Sequence, residues 1–318
     1  MRGYGPADPA ATPRFAGIST FLRLPHTTNL EGVDVAAVGL PLDTGVSFRV
    51  GARFGPKAIR DGSLAFRPDF NPEQGVSVFE RLSVIDYGDA PIVPGATVAS
   101  LDKMSGSLCV LHEAGVIPIG FGGDHSVLLA ELRAAAATRG PLAVIQFDAH
   151  CDTRDEYFGE KYTHGTVLRR ACEEGLVDAS RSTLMGMRGG LAGPNDHEEA
   201  RVLGFHVVRW TELASLGVGA VKTAVERARG KAFLTFDIDF IDPAYAPGTG
   251  TPVCGGPSSM QALDLLRACR GLHIIGADVV EVVPDLDSSY LTAMLAATVA
   301  WEILSLIAVS TVMTAGSH

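Results

Sequence analysis

Residues 143–157 read AVIQFDAHCDTRDEY, an apolar run that ends by placing Asp148, His150 and Asp152 at alternate positions. Two other segments have the same character. "GGDHS" carries Asp124 and His125 behind the run 116–121, and "FDIDFIDP" carries Asp237 and Asp239 behind the run 231–236. Each has a plain structural reading by itself: an Asx-bonded turn, a helix N-terminus capped by Asp124, and a solvated strand end. Taken together they pose a charge problem. Aspartates gathered on one edge repel, raise one another's pKa values and destabilise the fold. Divalent cations remove that conflict. Carboxylates with a few imidazoles and no thiolate suit manganese or a similar borderline ion, not structural zinc. Asp148, Asp152, Asp237 and Asp239 with His125 and His150 exceed the needs of one ion, so the count points to two metals. Two ions about 3.5 Å apart can share a water and bring its pKa near neutrality, which makes metal-assisted hydrolysis the expected chemistry.

His164 lies in "KYTHGT", a Gly-containing loop just after the metal-binding run, and is a candidate proton shuttle. His26, His112, His197, His206, His273 and His318 have no such neighbours and read as surface or satisfied core histidines. In a continuing strand successive side chains alternate between faces, so the backbone must bend at 148–152 for all three ligands to meet metal. Cys151 is then a spacer turned away from the ions, not a nucleophile.

The elements that must hold these groups are legible as short β-rich runs at 33–40, 81–88, 116–123, 142–149, 182–188, 205–210, 231–239 and 272–281. Helical patterns at 97–114, 125–138, 217–229 and 257–269 alternate with them. Strands apolar on both faces that alternate with helices predict an α/β fold, a mostly parallel sheet covered on each side. Functional groups in such sheets gather at the carboxyl ends of the strands, and four runs here end in ionisable residues. No linker or repeat divides residues 1–318, which read as one domain with a loose N-terminal arm over 1–30.

The formal net charge of −10 argues against nucleic acid, which needs a basic face. The five cysteines are odd in number and lack CxxC pairs, as expected of a reduced, cytoplasmic protein. The first fifteen residues contain no apolar core of a secretory signal. Residues 290–309 approach the length of a membrane span but carry Glu302, and read as a helix buried on the sheet.

At the level of whole motifs the sequence resembles the ureohydrolases: arginase, agmatinase, guanidinobutyrase and proclavaminate amidinohydrolase. The motifs are "RLPH", "SFRVGARFGPKAIR", "GGDHS", "FDAHCDT", "THGT", "FDIDFIDPAYAPGTGTP" and "DVVEVVP", and the closest likeness is to agmatinase-like enzymes acting on guanidino acids. The resemblance implies a three-layer α/β/α fold and two manganese ions. His125, Asp148, Asp152 and Asp237 would hold one ion and Asp148, His150, Asp237 and Asp239 the other, with Asp148 and Asp237 bridging. Asp152, His164 and Glu281 are implied to be catalytic, His164 as acid/base and Glu281 as the bidentate partner of a guanidinium. The implied reaction is hydrolysis of a guanidino group to urea and an amine, with 4-guanidinobutyrate the default substrate, in a trimer or hexamer.

Val283, Val253, Val167, Leu168 and Met185 depart from the family pattern. Apolar residues near a guanidinium pocket would favour an alkylguanidine or biguanide such as metformin, and relatives of that kind use nickel, which also suits these ligands. For an acidic tail, Arg49 and Arg53 are candidate cations, or anchors of their own loop. A catalytically silent subunit beside an active paralogue would show a lost ligand, and all six are present; a single-zinc deacetylase would need fewer.

Overall fold

The computed structural model describes residues 3–315 apart from residues 9, 192, 194 and 195; His318 lies outside them. Eight strands form one sheet: β1 (Val35–Leu40), β2 (Val84–Asp89), β3 (Ile117–Gly122), β4 (Ala143–Phe147), β5 (Thr183–Met187), β6 (His206–Arg209), β7 (Lys231–Asp237) and β8 (His273–Val280). Their order is β2-β1-β3-β8-β7-β4-β5-β6, and every ladder among the described residues is parallel. A parallel sheet must be covered on both faces, and the sequence provides for it: every residue of β1 and of β4 is buried.

The covering helices are α1 (Gly55–Ser63), α2 (Thr97–Glu113), α3 (Val127–Arg139), α4 (Val167–Glu173), α5 (Asp196–Val202), α6 (Trp210–Leu216), α7 (Val218–Ala228), α8 (Ser259–Arg267) and α9 (Leu291–Ala315). Helices α2 to α5 pack one face through a core that includes Leu108, Leu128, Leu168 and Ala200. The other face is packed by α1 and α6 to α9 through Ile59, Leu213, Val221, Leu265 and Ile303. The result is the three-layer α/β/α architecture.

The first thirty residues divide in two. Residues 10–19 are exposed, whereas Phe21, Leu22 and Leu24 enter the core and Phe21 packs edge-on against Phe121 at 4.7 Å. Tyr4 is tied down as well, its N–H donating to Ser83 Oγ and its carbonyl accepting the Val84 N–H, both at 2.9 Å, so the exposed stretch is bounded on each side by fixed chain.

Helix α9 is long and apolar enough over Leu291–Ser310 to cross a membrane, yet 78% of that window is buried inside the protein. Glu302 shows why the helix belongs there. Its carboxylate is wholly buried and accepts hydrogen bonds from Asn71 Nδ2 at 3.1 Å, Gln74 Nε2 at 2.6 Å and Arg267 Nη2 at 2.6 Å. A buried carboxylate persists only with such partners.

Candidate metal centre

Four neighbouring strands, β3, β8, β7 and β4, deliver polar residues to one edge of the sheet. Strand β4 stops at Phe147, where the Asp148 carboxylate turns the chain by accepting the His150 N–H at 2.6 Å. Asp152 then takes a left-handed backbone, φ 54°. The bend expected at 148–152 is therefore made by an Asx turn and one positive-φ residue. At the end of β7 the Asp237 side chain accepts the Asp239 N–H at 2.8 Å in the same manner. Beyond β3, Gly123 lies so close to the carbonyls of Leu40 and Leu42 that a Cβ would collide with them. Glycine is required there to swing His125 inward. Glu281, just past β8, also has positive φ (63°), and its N–H donates to Gly123 O at 2.8 Å.

The side chains meet as two clusters. His125 Nδ1 lies 2.8 Å from Asp152 Oδ2, 3.1 Å from Asp148 Oδ2 and 3.5 Å from Asp237 Oδ2. His150 Nδ1 lies 3.1 Å from Asp239 Oδ2 and 3.4 Å from Asp148 Oδ1. Ligand atoms of His125, Asp148 and Asp152 fall within 4.8 Å of one another, as do those of Asp148, His150 and Asp239, so Asp148 belongs to both groups. All but His150 are buried, and among the described residues His125 Nδ1 has no well-directed hydrogen-bond partner despite three carboxylates beside it. An orphaned imidazole nitrogen among carboxylates is what a cation site leaves when protein atoms alone are counted.

The electrostatics agree. Burial, then the charges of Asp239, Asp148 and Glu281, push the Asp237 carboxyl well above its ordinary range. Asp152 is raised by burial and by Asp148. Burial opposes ionisation of Asp148 as well, but the imidazoles of His125 and His150 beside it outweigh that and hold the carboxyl low. Divalent cations invert this balance by holding the carboxylates ionised and the imidazoles neutral. The two clusters form a binuclear divalent-metal centre.

Beside it stands an ion pair. His164 Nδ1 lies 2.9 Å from Glu281 Oε1, which also accepts the His125 N–H at 2.9 Å. Glu281 Oε2 is buried and has no hydrogen-bond partner among the described residues. With Oε1 taken by two donors, Oε2 is the acceptor atom the pair leaves open. On its other side, His164 Nε2 is 2.8 Å from Ser47 Oγ and 3.1 Å from Ser47 N. Burial works against a charged ring, but Glu281 carries the His164 pKa to about 9. Ser47 serves either state: its N–H points at the lone pair of the neutral ring, and its Oγ can accept the proton of the charged one. Gly45 ties the site together, donating to Asp124 Oδ2 at 2.8 Å and accepting the His164 N–H at 3.0 Å.

These groups adjoin a cavity of about 230 Å³ lined by, among others, Ser47, Arg154, Tyr157, His164, Arg188 and His197. The cavity corrects several expectations. Arg49 donates to the carbonyls of Gly250 and Thr249, and Arg53 pairs with Asp43, so both anchor their loop and neither lines the cavity. None of Val283, Val253, Val167, Leu168 and Met185 lines it; all but the half-buried Val253 sit in the core. Their apolar character reflects packing, not a ligand. His197, read as an ordinary histidine, is at the cavity wall because α5 carries it there. Cys151 also reaches the wall instead of turning away, but burial and the charges of Asp148 and Asp152 push its thiol up to about 12, so it is no nucleophile. Ser47, Gln146 and Thr235 escaped the sequence reading, although a glutamine and a threonine inside apolar strand runs were visible there.

A family model described as "Arginase family" matches residues 33–305. The chain is 44% identical over 308 residues to a guanidinopropionase of Pseudomonas aeruginosa, covering 96% of each. It is 40% identical to a guanidinobutyrase of the same organism, covering 92% of this chain and 93% of that one. Among solved structures, the proclavaminate amidino hydrolase of Streptomyces clavuligerus superposes with a TM-score of 0.90 at 39% identity, covering 94% of this chain and all of that one.

Proposed function

We propose that this chain, which belongs to the arginase family and is an amidinohydrolase of guanidino or amidine C–N bonds, acts on a small guanidino acid. The substrate we assign is 4-guanidinobutyrate or its shorter homologue 3-guanidinopropionate, giving urea and an amino acid. The observation that carries the reading is the Glu281–His164 pair set directly against the two metal clusters. In those clusters Asp148, His125, Asp152 and Asp237 would hold one ion, and Asp148, Asp237, His150 and Asp239 the other, with manganese the ion of choice. When bound, the ions supply activation of water at neutral pH. Glu281 Oε2 accepts a guanidinium N–H and fixes the reacting carbon over the clusters. His164, steadied by Glu281 and Ser47, carries a proton at Nε2 to the departing amine nitrogen.

For the acidic tail, Arg154 is the cation at hand, its guanidinium 5.0 Å from the Tyr157 ring centroid at the cavity wall. The relatives named for guanidinopropionate and guanidinobutyrate support the same substrate class. With the five departing residues away from the cavity, the case for an alkylguanidine or biguanide loses its structural motive. We read the protein as cytoplasmic and as a homo-oligomer, the oligomer supported by the exposed Phe15, Ile18, Phe48 and Phe54 and tested by light scattering of the purified protein.

Urea release is to be measured with 4-guanidinobutyrate, 3-guanidinopropionate, agmatine, arginine and metformin, each with manganese and with nickel. The acids should lead, and Arg154→Ala should raise KM for the acids while leaving agmatine unchanged. Faster turnover of agmatine or metformin than of either acid rejects the assignment.

A further inference from the structure

One tier below the metal-facing residues, a row of polar side chains crosses the sheet in register. Gln146 of β4 pairs with Thr235 of β7, Thr235 with Asp278 of β8, and Asp278 with Gly120 of β3. Strand alternation puts Gln146 on the same face as Asp148 and Thr235 on the same face as Asp237. The row supports the site above it. Gln146 Nε2 donates to Asp148 Oδ2 at 2.9 Å, and Thr235 Oγ1 lies 2.8 Å from His125 Nε2.

Its far end is unusual. Glu131 of α3 enters over Gly120, where a Cβ would collide with Oε1, and its carboxyl meets that of Asp278. Glu131 and Asp278 are fully buried. Among the described residues no other donor reaches either oxygen of Glu131 or Oδ2 of Asp278, while Asp278 Oδ1 accepts the Phe236 N–H at 3.2 Å. Two ionised carboxylates cannot occupy such a place; one proton between them turns repulsion into a hydrogen bond. That proton belongs on Glu131, because Asp278 already accepts the Phe236 N–H and has the Thr235 hydroxyl as its cross-strand neighbour.

We propose that Glu131 and Asp278 share one proton and act as a positioning pair for His125. Asp278 takes the Thr235 hydroxyl hydrogen, Thr235 Oγ1 therefore accepts from Nε2–H of His125, and the lone pair of Nδ1 is left facing Asp148, Asp152 and Asp237. With Glu131 removed, the lone buried Asp278 takes the proton itself and donates to Thr235 Oγ1, so the Thr235 hydroxyl hydrogen turns to Nε2, which favours the tautomer whose proton blocks Nδ1. Outer partners of metal-bound imidazoles fix the tautomer in this way. Burial and the Asp278 charge, which hold the Glu131 carboxyl well above its ordinary range, agree with a retained proton. The inference rests on the metal centre and not on the substrate.

The test is Mn2+ affinity, measured by chelator competition without substrate, in wild type, Glu131→Gln, Glu131→Leu, Thr235→Val and the Leu/Val double variant. Gln, whose amide donates permanently to Asp278, should bind Mn2+ within about twofold of wild type. Leu and Val should each weaken binding by ~10–100-fold, and the double variant no more than the worse single, because both act through one tautomer. Gln as weak as Leu, Leu as tight as wild type, or losses that multiply in the double variant overturn the proposal. Should Glu131→Leu not fold, Thr235→Ser against Thr235→Val decides: Ser must restore affinity that Val loses, and a Val variant as tight as wild type overturns it. A different substrate would leave these affinities unchanged, so the two readings fail separately.

Discussion

At the scale of single residues, His164 has both ring nitrogens engaged by side chains that tolerate a change of charge. Glu281 holds Nδ1 and Ser47 meets Nε2. A general acid or base contributes about 10²–10⁴-fold to rate. His164→Gln should therefore lower kcat by that order while bound manganese, measured by elemental analysis, stays at the wild-type level. A variant that loses metal in proportion to activity would make His164 a structural prop instead. Ser47→Ala is a milder version, expected to cost about tenfold or less in kcat, the value of one neutral hydrogen bond. How far these residues could be read in the sequence depended on separation. Asp148, His150 and Asp152 are within five positions of one another, and their shared end of an apolar run was enough to announce a site. Ser47 is 117 positions from His164 and is one serine in a loop; nothing local marks it. Glu131 looks like any charged helix residue until Gly120 and Asp278 are found beneath it.

At the scale of elements, the loop from β1 to α1 decides whether Ser47 arrives. Asp43, fully buried, accepts the N–H of Gly51 at 2.8 Å and pairs with Arg53. Burial alone would raise the Asp43 pKa, but the Arg53 hydrogen bond and the backbone N–H groups outweigh it and bring it below 3.8. The sign follows from that direction. A depressed folded-state pKa contributes stability present above 3.8 and lost as pH falls through the folded value. Asp43→Asn should cost ~1–3 kcal/mol at neutral pH, with the gap to wild type closing in acid, as followed by urea unfolding of the metal-free protein. The same variant should raise KM or lower kcat through the displaced loop. Helix α9 is a second such element. Breaking a buried ion pair from one side costs about 3–5 kcal/mol, so Glu302→Ala, which strands Arg267, Asn71 and Gln74, should lower the melting temperature by several degrees. Elements of this kind were unevenly legible. All eight strands declared themselves, because strands of a sheet covered on both faces are mostly apolar, even those that carry Gln146, Thr235 or Asp278. The short helices α4, α5 and α6 did not, since seven residues hold too few turns for a periodicity to appear. In α9 the length and hydropathy were plain, but the donors that make Glu302 tolerable come from residues 71, 74 and 267, which only the folded chain brings together.

At the scale of the whole molecule, the sheet order places four polar strand ends side by side, and two of them, those of β4 and β7, carry the crowded aspartates. Folding must bring Asp148, Asp152, Asp237 and Asp239 together, and the ions bind only once it has done so. Their binding free energy is then added to the stability of the native state, ~2.7 kcal/mol for one site at a free metal concentration a hundred times Kd. Chelation should therefore lower the melting temperature, and Mn2+ should restore it in a concentration-dependent way, with no change expected for a chain that does not bind metal. Protons compete for the same carboxylates and imidazoles, so the stabilisation by metal must shrink as pH falls. The measurement is the difference in melting temperature with Mn2+ and with chelator across a pH series. A difference that grows in acid would mean that the metal binds elsewhere than among these groups. If the Glu131–Asp278 pair acts as inferred, Glu131→Leu should shrink that difference at every pH, while Glu131→Gln should leave it at the wild-type value. The tier of residues beneath the ligands would then be felt in the stability of the entire fold, through a single imidazole tautomer.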